Sequence, residues 1–187
     1  RLGSCLLLDP RGGRACLTGE IFFVLATSEI YSARAAAAVL AEGGNAVDAA
    51  VCAAACLTVV EPTSNGLGGD LFALVGRGTE VHALASSGAS PAALTLEDVP
   101  GAAIPLTGWL PVTVPGQVAG WQALCDDLGS WPLDRLLAPA IGLARNGVPI
   151  GPETAAAWAR ARPRFAAFAE WSRVFTLDGR PPRAGGR

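Results

Sequence analysis

Lysine and methionine are absent from the 187 residues, histidine and tyrosine occur once each, and aromatic residues make up only 6%. Every basic residue is an arginine and the formal net charge is −2, so no positive face is dense enough to hold a nucleic-acid backbone. The densest basic cluster, Arg160, Arg162 and Arg164, reads as a solvated helix end. With His82 as the sole histidine, a Ser-His-Asp arrangement has no other base, and its place beside Val81 in a predicted strand suggests a structural role. The five cysteines show no CxxC spacing, which supports neither a disulfide framework nor a zinc site. Cys52 and Cys56 stand four apart on one helix, a poor geometry for a bridge, and read as small core residues. This cysteine usage suits a reducing compartment, and with no secretory signal seen a cytoplasmic protein is expected. No apolar run reaches membrane length: the stretch from Ala46 to Val60 contains Asp48. The run Cys5-Leu6-Leu7-Leu8 is cut by Asp9, Pro10 and Arg11, too soon for a secretory signal. No membrane partner is expected.

Against these absences stands a composition that is 51% hydrophobic and 16% charged, which excludes disorder along the whole length. Frequent alanine gives a core of small side chains and closely packed helices. Residues 1–21 are turn-rich and without period, and Ile21 to Ala26 reads as a buried strand. Ser32 is a good N-cap for a helix from Ala33 to Glu42, which Gly43-Gly44 stops. Asn45 can cap the next helix, with the Asp48 carboxylate near its positive end. That helix, about 46–59, is apolar on nearly all sides, the pattern of a buried helix. Glu61-Pro62 ends it.

The loop Ser64 to Asp70 leads into a hairpin, Leu71 to Val75 and Glu80 to Ala85 around Gly76-Arg77-Gly78-Thr79. Thr95 caps a short helix, and Val112-Thr113-Val114 is a predicted strand. Helices follow at about 117–128, 133–146, 152–161 and 164–173, separated by Gly129, Gly147, Pro149 and Pro163. The tail from Asp178 reads as an exposed loop. This order indicates an α+β fold with helices on an antiparallel sheet, part of which comes from elsewhere.

Glycines let backbone amides approach an anion, so Gly66-Leu67-Gly68-Gly69 invites a nucleotide-binding reading. A dinucleotide fingerprint, however, follows a strand and opens a helix. Here a helix precedes and a strand follows, and no Gly-Lys-Ser/Thr sequence exists. The acidic pairs Glu97-Asp98 and Asp126-Asp127 sit near helix ends and read as surface charge. The residues alone therefore specify a fold without a complete active site.

Four segments stand in register: Gly43-Gly44-Asn45-Ala46-Val47-Asp48-Ala49-Ala50; Val60-Glu61-Pro62 with Ser64, Gly66, Gly68 and Gly69; Val114-Pro115-Gly116 with Gly120-Trp121; and Leu137 to Gly147. Together they resemble the gamma-glutamyltranspeptidase family. The resemblance spans about residues 23–175 and divides the chain into an unmatched segment, 1–21, and an incomplete large-subunit region, 22–187. It implies part of a four-layer αββα N-terminal-nucleophile hydrolase fold. Such enzymes cleave their own precursor and attack γ-glutamyl amides such as glutathione with the new N-terminal threonine, without a cofactor. That threonine lies downstream of everything matched, so no catalytic residue and no metal ligand is assigned within this chain. The implied partners are the rest of the large subunit, the small catalytic subunit and a small amide substrate.

Typical members place an arginine before Glu-Thr-Ala-Pro, where its planar fork holds the substrate α-carboxylate. The matching stretch here is Ala85 to Pro91, and Ser87 falls at the arginine's place, a candidate substrate-binding residue. Two alternatives stand beside this reading: a non-catalytic remnant of the family, and a module that binds an anion at the glycine loop. The chain by itself is not expected to hydrolyse glutathione, and its apolar helix at 46–59 is expected to expose adhesive surface.

Overall fold

The structure is a computed structural model that describes residues 6–8, 23–101 and 103–186. Its elements in chain order are β1 (Leu6–Leu8), β2 (Val24–Ala26), α1 (Ile30–Ala41), α2 (Ala46–Val60), β3 (Leu71–Arg77) and β4 (Glu80–Ser86). Then come a 3-10 turn (Leu96–Asp98), α3 (Gln117–Leu128), α4 (Leu133–Asn146), α5 (Pro152–Phe165) and α6 (Ala169–Phe175). Two antiparallel strand pairs are described, β1 with β2 and β3 with β4.

Helix α2 is the centre. Its run of alanine, valine and cysteine has no polar face, and α1, α3 and α4 cover it on successive sides. Ala49, Cys52, Ala53 and Cys56 are fully buried, as is Ala36 on α1. Small side chains on both helices allow this close approach. The expected adhesive surface on α2 is therefore not found: the chain's own helices bury it. α3 bridges α2 to the hairpin, whose Leu71, Ala73, Val75 and Leu84 pack against the same core. Trp121 on α3 is 1% exposed, and its indole N–H has no acceptor among the described residues.

The α1–α2 joint follows from its glycines. Gly43 takes φ +91°, the left-handed conformation that suits glycine. Gly44 N–H donates to Val39 O at 2.9 Å and Gly43 N–H to Leu40 O at 3.2 Å, the paired bonds of a Schellman ending. Asn45 Oδ1 then accepts from Val47 N and Asp48 N at 2.9 and 3.0 Å, while Asp48 Oδ2 accepts from Asn45 N at 2.8 Å. This is a reciprocal capping box.

Asp48 does more than cap. Its side chain is fully buried, and Oδ1 accepts from Ser130 N at 2.9 Å and Trp131 N at 3.2 Å. The Ser130 hydroxyl donates to Oδ2. Asn45 Nδ2 adds a bond to Leu128 O at 2.8 Å. The α2 N-terminus thus holds the connection between α3 and α4. Glycine makes room for the carboxylate on two sides: a Cβ at Gly129 would lie 3.0 Å from Oδ1, and one at Gly44 would lie 3.4 Å from Oδ2. Burial first, then the Asp48 and Asp126 charges, pushes the nearby Cys125 thiol up to about 11, so it stays protonated and unreactive at neutral pH. The hydrogen bond with Cys56, then burial, raises Cys52 as well. Among the described residues Cys52, Cys56 and Cys125 are all free.

Several expectations need correction. The strand expected from Ile21 to Ala26 is β2, Val24–Ala26, and it is not buried; Val24 is 52% exposed, and residues 21–22 lie outside the described residues. Within the first 21 residues, for which no strand was expected, Leu6–Leu8 pairs with β2. Helix α1 begins at Ile30 under Glu29, and Ser32 sits inside it, buried, donating to Ala53 O at 3.1 Å. Its hydroxyl serves the α1–α2 contact instead of a helix end. The hairpin turn is shorter than expected, because Arg77 pairs with Glu80 and only Gly78-Thr79 connects them. Gly78 takes φ +64° at the first turn position, as a two-residue hairpin turn requires.

Val112 to Val114 form no strand; Val112 N donates to Trp109 O at 3.1 Å in a local turn, and Val114 N to Ala89 O at 2.9 Å ties the segment to the stretch after β4. Pro163 does not break α5, which runs two residues further. The tail is the exposed loop expected, and two bonds fasten its end: Ile150 N donates to Gly186 O at 2.8 Å and Gly185 N to Ile150 O at 2.9 Å. Between α5 and α6, Phe165 stacks on Trp171 at 5.6 Å and Trp158 meets Phe175 at 5.9 Å. Among the described residues no helix is long and apolar enough to cross a membrane.

Two substitutions probe the helical packing and one probes the buried carboxylate. Ala36→Leu adds three carbons to a filled interface and should lower unfolding free energy by about 1–3 kcal/mol. Ala38→Leu, at an exposed position of the same helix, should change it by no more than about 0.5 kcal/mol. Asp48→Asn turns an amide NH2 toward backbone donors and should cost about 2–4 kcal/mol in denaturant titrations. Equal effects at positions 36 and 38, or an Asp48→Asn variant as stable as the wild type, would contradict this account.

Candidate functional site

Three segments distant in sequence meet at the start of α3: the glycine loop 66–69, the end of β4 at 86–89, and residues 114–117. Gly69 is the hub of the first contact. Its carbonyl accepts from Gly116 N at 3.1 Å and Gln117 N at 2.9 Å, while its own N–H donates to Gly66 O at 3.1 Å. Two of the N-terminal amides of α3 are thereby satisfied by a loop rather than by a side-chain cap. Gln117 is 7% exposed, and its Oε1 lies 3.2 Å from where a Gly69 Cβ would stand.

The second contact runs between β4 and the segment before α3. Ser86 Oγ donates to Gly116 O at 2.7 Å. A Cβ at Gly116 would sit 2.3 Å from Ser86 O, and one at Gly88 only 1.5 Å from Val114 O. A Cβ at Gly120, one turn into α3, would sit 2.8 Å from Ser86 Cβ. At 88 and 116 backbone passes against backbone and no flexible side chain can give way, while at 120 the Leu71 and Ser86 side chains fill the space of a Cβ. Ser87 lies between the two locked residues, and its own side chain is exposed and makes no hydrogen bond among the described residues.

The remaining expected residues fall into two groups. Gly43, Gly44, Asn45 and Asp48 build the helix joint at the far end of α2 and touch none of the junction. Glu61 and Pro62 start the turn into the glycine loop. Glu61 O accepts from Ser64 N at 3.1 Å and Asn65 N at 3.2 Å, and its carboxylate accepts from the Ser28 hydroxyl. Gly66 and Gly68 have nothing within 4 Å of a Cβ, so their side of the loop faces open space. Pro115 is exposed and Gly116 buried.

His82 stands near the turn end of the hairpin, roughly 13 Å along the strand from Ser86. It is 3.7 Å from Glu80, with 42% of its side chain exposed. Among the described residues no group of three or more His, Cys, Asp and Glu is placed to hold a metal ion. Sequence reasoning missed Ser86, Gly88, Gln117 and Ser130. Only the glycine spacing signalled close contact, and nothing in it named the partners.

Electrostatically the junction is neutral. Glycine, serine, valine and glutamine form it, and position 87 carries no charge. What the arrangement supplies is a rigid wall of backbone presenting one exposed hydroxyl.

The sequence profile described as gamma-glutamyltranspeptidase matches residues 32–187. Glutathione hydrolase proenzyme 1 of Schizosaccharomyces pombe is 35% identical over 162 residues, 83% of this chain and 25% of that protein. Oxamate amidohydrolase proenzyme of Klebsiella pneumoniae is 39% identical over 165 residues, again 83% of this chain and 31% of that protein. The chain thus spans a quarter to a third of these relatives' lengths. The crystal structure of Helicobacter pylori gamma-glutamyltranspeptidase superposes with a TM-score of 0.79 at 32% identity, over 87% of this chain and 48% of that one. The glycine-bearing joint, loop and helix start described above all lie within the matched region. Fold and sequence agree that this chain belongs to the gamma-glutamyltranspeptidase family and carries part of its α+β N-terminal-nucleophile hydrolase fold.

Proposed function

We propose that these residues form part of the large subunit of an enzyme that cleaves γ-glutamyl or related amides. In this reading the attacking group is an N-terminal threonine generated elsewhere in the complete protein. Its hydroxyl oxygen bonds to the amide carbonyl carbon, and its α-amine takes the hydroxyl proton and passes it to the departing amine as the C–N bond breaks. Water or an acceptor amine then releases the acyl group. No cofactor takes part. Two of the relatives are proenzymes by name, and the match covers only 25% and 31% of their lengths, which supports a catalytic group contributed by further sequence.

The observation that carries the substrate reading is Ser87, an exposed hydroxyl on a rigid neutral wall where the family's carboxylate-binding arginine is expected. A hydroxyl gives one neutral hydrogen bond in place of a bidentate charged pair. The substrate class is then an amide whose acyl part need not carry an α-carboxylate, and one relative is named for oxamate. The hairpin supports the partner reading. Its outward face presents Phe72, Leu74 and Val81 at 68%, 78% and 71% exposure, an apolar sheet surface suited to a second sheet from the rest of the large subunit and the small subunit.

The test compares two anilides in the complete, matured protein. γ-Glutamyl-p-nitroanilide carries the α-carboxylate and 4-aminobutyryl-p-nitroanilide does not. Ser87→Arg should raise the ratio of their kcat/KM values by about tenfold to a hundredfold in favour of the γ-glutamyl compound. An unchanged ratio would remove Ser87 from the pocket, and no turnover of either anilide would remove the hydrolase reading.

A further inference from the structure

The contacts on either side of Ser87 are unequal. On the C-terminal side Gly88 is pressed against Val114, and its bond network runs through backbone: Val114 N donates to Ala89 O at 2.9 Å. On the N-terminal side the fastening includes a side chain. Ser86 is half-buried at the end of β4, paired with Leu71, and its hydroxyl reaches across 30 residues to Gly116 O at 2.7 Å. Gly116 is in turn held by its N–H on Gly69 O at 3.1 Å. One hydroxyl therefore connects the strand that carries residue 87 to the helix start and, through it, to the glycine loop.

Ser86, the last residue of β4, faces Gly116 and Gly120, while residue 87 beyond it is exposed. Beyond residue 86 the ladder with β3 stops, because Leu71 is the last partner. Residue 87 thus receives no help from the sheet, and its direction rests on its two neighbours. We propose that Ser86 is a positioning residue for substrate selection. Its bond to the Gly116 carbonyl sets the direction of the residue 87 side chain without touching substrate itself.

This inference rests on the reading of Ser87 as a pocket residue, and a double-mutant cycle in the complete protein separates the two. KM and kcat are measured on 4-aminobutyryl-p-nitroanilide for the wild type, Ser86→Ala, Ser87→Ala and the double variant. Ser86→Ala removes a hydroxyl and adds no bulk, so the fold is kept, and a thermal melt checks this. The expected result is a rise in KM of about threefold to tenfold for each single variant, with kcat changed less than twofold. The double variant should be no worse than Ser87→Ala alone, because Ser86 acts only through residue 87. Independent, multiplying effects, or a loss in kcat with KM unchanged, would overturn the positioning role while leaving Ser87 in place. Should Ser87→Ala leave KM unchanged, or should the wild type not turn over the anilide, the pocket reading falls and this inference with it.

Discussion

A carboxylate buried without a cation among the described residues is the interaction on which this arrangement depends. Asp48 would be costly in an apolar interior if its oxygens were unpaired. Here they accept from three backbone amides and a hydroxyl, and two of those amides belong to the connection 82 and 83 residues further along the chain. The same helix terminus contributes the Asn45 amide to Leu128 O. The C-terminal end of α3 is thus fixed to the N-terminal end of α2. At the other end, α2 passes through Glu61 into the glycine loop, and Gly69 O receives the first amides of α3. The two helices are fastened at both ends, so a rod of 12 residues, about 18 Å long, carries the constraint from Asp48 to the junction beside Ser87.

Small residues make that geometry feasible. Gly44 and Gly129 leave space around the carboxylate, and Gly88, Gly116 and Gly120 let β4 lie against α3. The alanines of α1 and α2 do the same for the helical pair. Each close approach removes tolerance for an added carbon, because the neighbouring atom is usually backbone and cannot step aside. The scaffold is therefore stiff around the proposed pocket edge while its outward hairpin face remains apolar and uncovered by the described residues. That combination fits a component of a larger sheet assembly whose site is completed by other chain segments.

Much of this was legible in the sequence where local rules decide. The Gly43-Gly44-Asn45 joint, the capping box, the end of α2 at Glu61-Pro62, the hairpin and the bounds of α3 and α4 follow from turn chemistry and hydrophobic period. Long-range pairing was not legible. Leu6–Leu8 finds β2 across more than a dozen residues, and no local pattern announces it. Ser32 has the chemistry of a cap, yet a tertiary acceptor at Ala53 outweighs that preference. The valines before α3 have strand character, but without a neighbouring strand they form only a local turn bond and one long-range tether. At the candidate site the glycines signalled closeness and the family resemblance singled out Ser87, whereas Ser86 and Ser130 left no trace that distinguishes them from surface serines.

Amide hydrogen exchange at Ser130 and Trp131 tests the Asp48 anchor most directly. Both residues lie in a connection between helices, where unanchored amides exchange at nearly the rate of an unfolded chain. If Asp48 holds them, their protection should approach that of the α2 core amides around Cys52 and should collapse in the Asp48→Asn protein. Fast exchange of both amides in the unaltered protein would show that the carboxylate does not bind the connection, and the account of how α3 is placed would be wrong.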